Sequence, residues 1–250
     1  MDETGIGNPE TDRYAIVVAA ISPGGFRGTL ATEGLGVLAN QIVPTAQGRG
    51  FTFHAKDLYH GKKEFDSAIY HDREFRYRTL EFICGLASFF DLRVIIAAGD
   101  REAVRSAIPG ASAAQLQAAA HVEALRYCLW NVERYMQFHD PGGLALLVYD
   151  DTISMRGKLN QAAQALFDSR DNDGNPEFPS LIPQLSFKEK STFRMLQIAD
   201  ACCFAVLRKL AGDDRFYNQL GSAILARPEW LAPPRSAPRI PLETLKWPPA

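Results

Sequence analysis

Residues 141–151 read Pro-Gly-Gly-Leu-Ala-Leu-Leu-Val-Tyr-Asp-Asp. Proline cannot continue a helix and paired glycines favour a turn, so 141–143 stop whatever precedes them. The run 144–149 is continuously apolar, too short for a helix and of the right length for a buried strand. Upstream, Ser112 can cap a long helix to about residue 138, with Leu116, Val122, Leu125, Leu129, Val132 and Met136 at helical spacing. Downstream, residues 154–168 read as another helix. A helix, a strand and a helix in succession point to α/β layering.

The same alternation extends outward. Residues 13–21 form a β-branched, continuous run that suits a buried strand, broken by Ser-Pro-Gly-Gly. Residues 29–43 place Leu30, Leu35, Leu38 and Ile42 at helical spacing. Gly48, Arg49 and Gly50 lead into an expected short strand at 51–54. Leu80, Ile83, Leu86 and Phe90 mark a helix over 74–90, and 92–98 read as a strand. A polar loop at 171–179 precedes a weaker strand at 181–187. A helix over 191–211 turns Met195, Ile198, Cys202 and Val206 inward and closes at Gly212. The expected fold is α/β with at least part of its sheet parallel.

The chain has 250 residues, enough for one large α/β domain or two small ones, and its 46% hydrophobic and 22% charged composition excludes disorder, collagen and coiled coil. No apolar run reaches the length of a membrane span, and the first residues carry charges where a signal peptide needs an apolar core. The expectation is a cytoplasmic protein without a membrane partner. The four cysteines, Cys84, Cys128, Cys202 and Cys203, have neither metal nor disulfide spacing and read as buried thiols. A net charge of −2 gives no global field for nucleic acid. The basic runs at 61–63 and 71–78 read as a solvated helix face, ahead of the alternative of a phosphate-contacting strip. Residues 226–250 are dense in proline and form an expected extended arm, with Trp230 and Trp247 to dock it on its own domain or on a second copy.

The chemistry-bearing residues are acidic and far apart: Asp2, Asp57 beside His54, Asp150 with Asp151, and Asp200. Carboxylates at strand ends, or on an apolar helix, are costly unless hydrogen-bonded or holding a cation. If several converged they would suit a hard divalent ion such as Mg2+ or Mn2+. Each also has a structural reading. Asp2 alone is a solvated terminal residue; Asp150 and Asp151 are a strand end and a helix cap; Asp200 pairs with an arginine such as Arg194 or Arg208. His54, Asp57 and His60 carry little weight as a zinc site, and residues 168–177 fail the calcium-loop pattern. No nucleophile elbow or Cys/His nucleophile context is present.

Four blocks in order carry a family resemblance: Met-Asp-Glu-Thr-Gly at 1–5, Phe-His-Ala-Lys-Asp-Leu at 53–58, Leu-Leu-Val-Tyr-Asp-Asp at 146–151, and Leu-Gln-Ile-Ala-Asp-Ala at 196–201. With them the chain resembles the bacterial and phage proteins grouped as domain of unknown function 3800, whose fold is ribonuclease H-like. The resemblance implies one such domain over 1–225, a mixed sheet flanked by helices, followed by the arm at 226–250. It implies Asp2, Asp150 and Asp200 as ligands of Mg2+ or Mn2+ in a two-metal phosphodiesterase or nuclease, with DNA or RNA as partner. His54 would orient a ligand or contact the substrate or leaving group. Only Met1 precedes Asp2, so the first strand is formed by the opening residues themselves or by residues upstream of this numbering. The rival expectation is a non-catalytic binding module of a mobile-element or defence system with a vestigial acidic pocket. A third is a hydrolase of a small phosphate compound.

Overall fold

The computed structural model describes residues 1–4, 13–22, 26–42, 51–65, 72–151 and 153–224. The proline-rich arm with Trp230 and Trp247, and residues 48–50, lie outside the described residues. The elements follow in the order β1 (Asp2–Thr4), β2 (Tyr14–Ile21), α1 (Phe26–Ile42), α2 (Ala55–His60), α3 (Arg73–Phe89), β3 (Arg93–Asp100) and α4 (Arg101–Ala107). Then come α5 (Ala113–His139), β4 (Ala145–Asp150), α6 (Ile153–Phe167), β5 (Leu181–Lys188), α7 (Met195–Leu210) and α8 (Tyr217–Leu220). Strands β1, β2 and β3 make an antiparallel sheet in that order, and β4 pairs with β5 in parallel. The fold is mixed α/β. The opening residues themselves form the first strand, and Asp2 lies on it.

The chain divides into two compact units, and strands β2 and β3 each run from one into the other. The first holds residues 1–2, 18–95 and the described part of 188–225. In it α3 packs against α1, α2, α7 and α8. Asp72 caps α3 by accepting the Glu74 N–H at 2.9 Å, and Leu80, Ile83, Cys84 and Ala87 are buried while Arg73 and Arg78 are exposed. An aromatic cluster joins these helices. Tyr59 stacks on Tyr77 with ring centroids 4.8 Å apart, and Phe204 and Phe216 close around the pair. Arg208 lies over Tyr59 and Arg215 over Tyr77, cations on aromatic faces.

The second unit holds the described part of 3–17 and 96–187. Its long helix α5 begins in a full capping box: Gln115 N–H donates to Ser112 Oγ at 3.3 Å, and the Gln115 side-chain oxygen accepts the Ser112 N–H at 2.8 Å. Ala15, Val104, Leu116, Ala119 and Ala120 form an apolar cluster between α4 and α5. Gly99 lets β3 approach α5, because a β-carbon there would fall 1.9 Å from the Ala120 carbonyl oxygen.

One reading of the sequence is corrected, and two short helices are found where the sequence analysis gave no element. Residues 51–54 are not a strand; the Phe53 and Ala55 N–H groups are taken by side chains of α7 rather than by a neighbouring strand. The segment after His54 is the short helix α2, ended by Gly61 in the left-handed region with φ 62°. Helix α4 follows β3 directly, capped by Asp100, which accepts the Glu102 N–H at 2.9 Å. No helix among the described residues is long and apolar enough to cross a membrane.

Candidate functional site

Helix α7 is buried on nearly every side from Leu196 to Val206, as a helix in the middle of a core must be. Asp200 interrupts that apolar surface, its side chain 19% exposed, so its charge needs compensation within the protein. Compensation arrives from two directions. Asp200 Oδ2 accepts the N–H of Ala55, the first residue of α2, at 2.8 Å. Asp200 Oδ1 accepts from the Lys190 ammonium at 3.2 Å.

The same ammonium reaches Asp2 Oδ2 at 3.0 Å, an ion pair by distance without hydrogen-bond alignment. Asp2 is buried at 1% exposure, and its carbonyl oxygen lies 3.8 Å from Cys203 Sγ, a second tie between β1 and α7. Asp2 and Asp200 therefore meet on one cation, and the Lys190 side chain is itself 10% exposed. Such a buried ionic cluster is strongly destabilised by losing one member, at about 3–5 kcal/mol.

Lys190 is held in place through its backbone. The turn ahead of α7 bonds the N–H groups of Thr192 and Phe193 to the Glu189 carbonyl at 3.0 and 2.9 Å. Gln197, 1% exposed, donates from Nε2 to the Lys190 carbonyl at 2.8 Å and accepts the Phe53 N–H on Oε1 at 3.1 Å. Gln197 and Asp200 are three residues apart on α7 and share one helix face, so one helix aligns both the 51–55 segment and the lysine turn.

His54 stands at the N-cap position of α2 and is half-buried; its side chain makes no capping bond, while its carbonyl accepts the Leu58 N–H at 2.9 Å. Asp57 pairs with Lys63 at 2.7 Å. The arginines considered for Asp200 lie elsewhere or act otherwise: Arg208 binds Asp213 at 3.0 Å, and Asp200's cation is Lys190. Asp150 closes β4 in the second unit and is half-buried, one residue after Tyr149, whose hydroxyl lies 3.0 Å from His121 Nε2. Asp151 pairs with Arg156 at 3.2 Å.

Burial, and then the charge of Asp200, pushes the Cys202 thiol up to about 12; burial raises Cys84 well above the ordinary thiol range. Both stay protonated at neutral pH and offer no nucleophile. A cavity of about 360 Å³ lies elsewhere in the first unit, lined by Gly34, Phe82, Leu86, Phe89, Phe90 and Gln219. Its lining is mostly apolar; the one carboxylate among the lining residues, Glu81, pairs with Arg215.

Among the described residues no group of three or more His, Cys, Asp and Glu side chains gathers as a metal centre. The oxygen donors of Asp2 and Asp200 have the chemistry a hard divalent ion prefers, and both are turned to the place that the lysine ammonium fills. Two residues of this site, Lys190 and Gln197, escape sequence reading. Gln197 left a faint signal, a second polar residue at helical spacing from Asp200 on an apolar helix; Lys190, in the charged run Lys-Glu-Lys at 188–190, left none.

Comparison with protein-family models, with curated proteins and with solved structures finds no match for this chain.

Proposed function

We propose that this chain is a divalent-cation-dependent phosphodiesterase of ribonuclease H-like type that acts on nucleic acid, with Asp2, Asp150 and Asp200 as ligands of Mg2+ or Mn2+. The observation that carries the reading is the meeting of Asp2 and Asp200, from opposite ends of the sequence, on a single cation in a buried setting. Two carboxylates turned toward one position repel and are costly to desolvate unless a cation lies between them; Lys190 supplies one, and the same oxygens suit a divalent ion. A divalent ion, when bound, would activate a water and stabilise the leaving oxygen of a phosphodiester. The chain's own residues supply the rest. Asp200 is oriented by the Ala55 N–H, so one of its oxygens is fixed and the other faces the shared cation. His54, one residue ahead of Ala55, orients a ligand or meets the substrate or leaving group.

The test is cleavage of labelled single-stranded and duplex DNA and RNA with Mg2+ or Mn2+, on wild type and on Asp2→Asn, Asp150→Asn and Asp200→Asn. Cleavage lost in all three variants supports the reading; equal cleavage by wild type and Asp200→Asn sinks it.

A second reading, a non-catalytic binding module with a vestigial acidic pocket, draws on one feature. Lys190 already offsets much of the charge of the two carboxylates, so the pocket is stable without a metal. Nucleic-acid binding without cleavage, unchanged by divalent ions and by Asp200→Asn, would favour it.

A further inference from the structure

We infer that Lys190 is an internal competitor for the cation position between Asp2 and Asp200, so that a divalent ion binds there only when the lysine ammonium leaves. The inference rests on the reading of those two aspartates as cation ligands and adds a control on their occupancy. Nζ of Lys190 is 3.0 Å from Asp2 Oδ2 and 3.2 Å from Asp200 Oδ1, so the ammonium lies against the two carboxylate oxygens that would hold a divalent ion. An ammonium and a divalent ion repel strongly at such separations in a poorly hydrated pocket, so the two exclude each other.

Placement of the ammonium is not an accident of a long flexible side chain on the surface. The lysine side chain is 10% exposed, and its backbone carbonyl is bound by the buried Gln197, which also holds the Phe53 N–H. Gln197 therefore ties the competitor to the segment that carries His54 and Ala55. Whatever draws Lys190 out of the pocket, an incoming phosphate being the simplest anion to do so, would open the cation position as substrate arrives.

The experiment is Mn2+ titration by calorimetry on wild type, Lys190→Met and Lys190→Met/Asp200→Asn. Methionine keeps the length and apolar stem and removes the charge. The inference expects Lys190→Met to bind Mn2+ at least about tenfold more tightly than wild type, a difference of ~1.4 kcal/mol, and the double variant to lose that gain. Equal affinity in wild type and Lys190→Met overturns the inference while leaving the aspartates as ligands. Binding by none of the three overturns both.

Should Lys190→Met fail to fold, wild type alone decides. Its lysines are labelled with an amine-reactive reagent with and without saturating Mn2+, and Lys190 is read by peptide mass spectrometry. Labelling of Lys190 that rises with Mn2+ supports displacement. Labelling unchanged while calorimetry records Mn2+ binding overturns it, and absence of any binding overturns both readings.

Discussion

His121 should make this protein sensitive to mild acid in a way that one substitution removes. The residue lies on α5, fully buried, with Nε2 3.0 Å from the hydroxyl of the equally buried Tyr149. Its other ring nitrogen, Nδ1, has no hydrogen-bond partner among the described residues. An imidazolium here would bury a second N–H without an acceptor. Burial, and then the charge of Arg101, pushes the group down from 6.5 to about 4. Because the folded value is depressed, the unfolded chain takes up the proton first as pH falls. The stability this group supplies is therefore full above about pH 6.5, declines from there, and is gone below about pH 4. At ~1.4 kcal/mol for each pH unit, the interval amounts to about 3 kcal/mol.

The assay is urea unfolding of wild type and His121→Gln at a series of pH values across that window. Glutamine keeps a polar group toward Tyr149 but does not titrate in this range. Carboxylates that also lose stability in acid, such as Asp100 held down by Arg13, are common to both proteins and cancel in the difference. Wild type should lose about 3 kcal/mol relative to the variant between pH 6.5 and 4. Parallel pH profiles for the two proteins would refute the reasoning, as would a measured His121 value near 6.5 in the folded state. The matter bears on function because Tyr149 immediately precedes Asp150, so loosening the His121–Tyr149 pair loosens the strand end that carries a proposed ligand.

Gly99→Ala should cost roughly 3 kcal/mol or more, since a β-carbon 1.9 Å from the Ala120 carbonyl oxygen forces β3 and α5 apart; a thermal midpoint equal to that of wild type would contradict that packing. Gln197→Leu preserves volume but strands the buried Phe53 N–H and the Lys190 carbonyl, a loss of about 2–4 kcal/mol in urea unfolding. The same variant should make Lys190 label faster with amine reagents, and unchanged labelling would show that Gln197 does not place the lysine.

Much of this architecture was legible before the structure. Ser112 announced the start of α5, and Pro-Gly-Gly at 141–143 followed by an apolar run announced β4. The four cysteines are free and buried as expected. Asp2 and Asp200, both singled out in the sequence, pair with the same lysine. What failed was reading by local pattern where side chains, not strands, satisfy the backbone. Residues 51–54 have strand composition, yet Gln197 and Asp200 bind the Phe53 and Ala55 N–H groups. Helices α2 and α4, with six and seven residues, are too short for an apolar period to emerge. Lys190 was illegible for a further reason. Its role is fixed by a turn and by Gln197 seven residues later, a long-range arrangement that a charged run resembling solvated surface does not disclose.

The central claim is that Asp2 and Asp200 form a divalent cation site, and the most direct measurement is Mg2+ and Mn2+ titration by calorimetry on wild type and Asp200→Asn in parallel. The account predicts binding by wild type within the millimolar range and its loss in a variant that remains folded by circular dichroism. Well-folded wild type that binds neither ion, or Asp200→Asn that binds as wild type does, would contradict it.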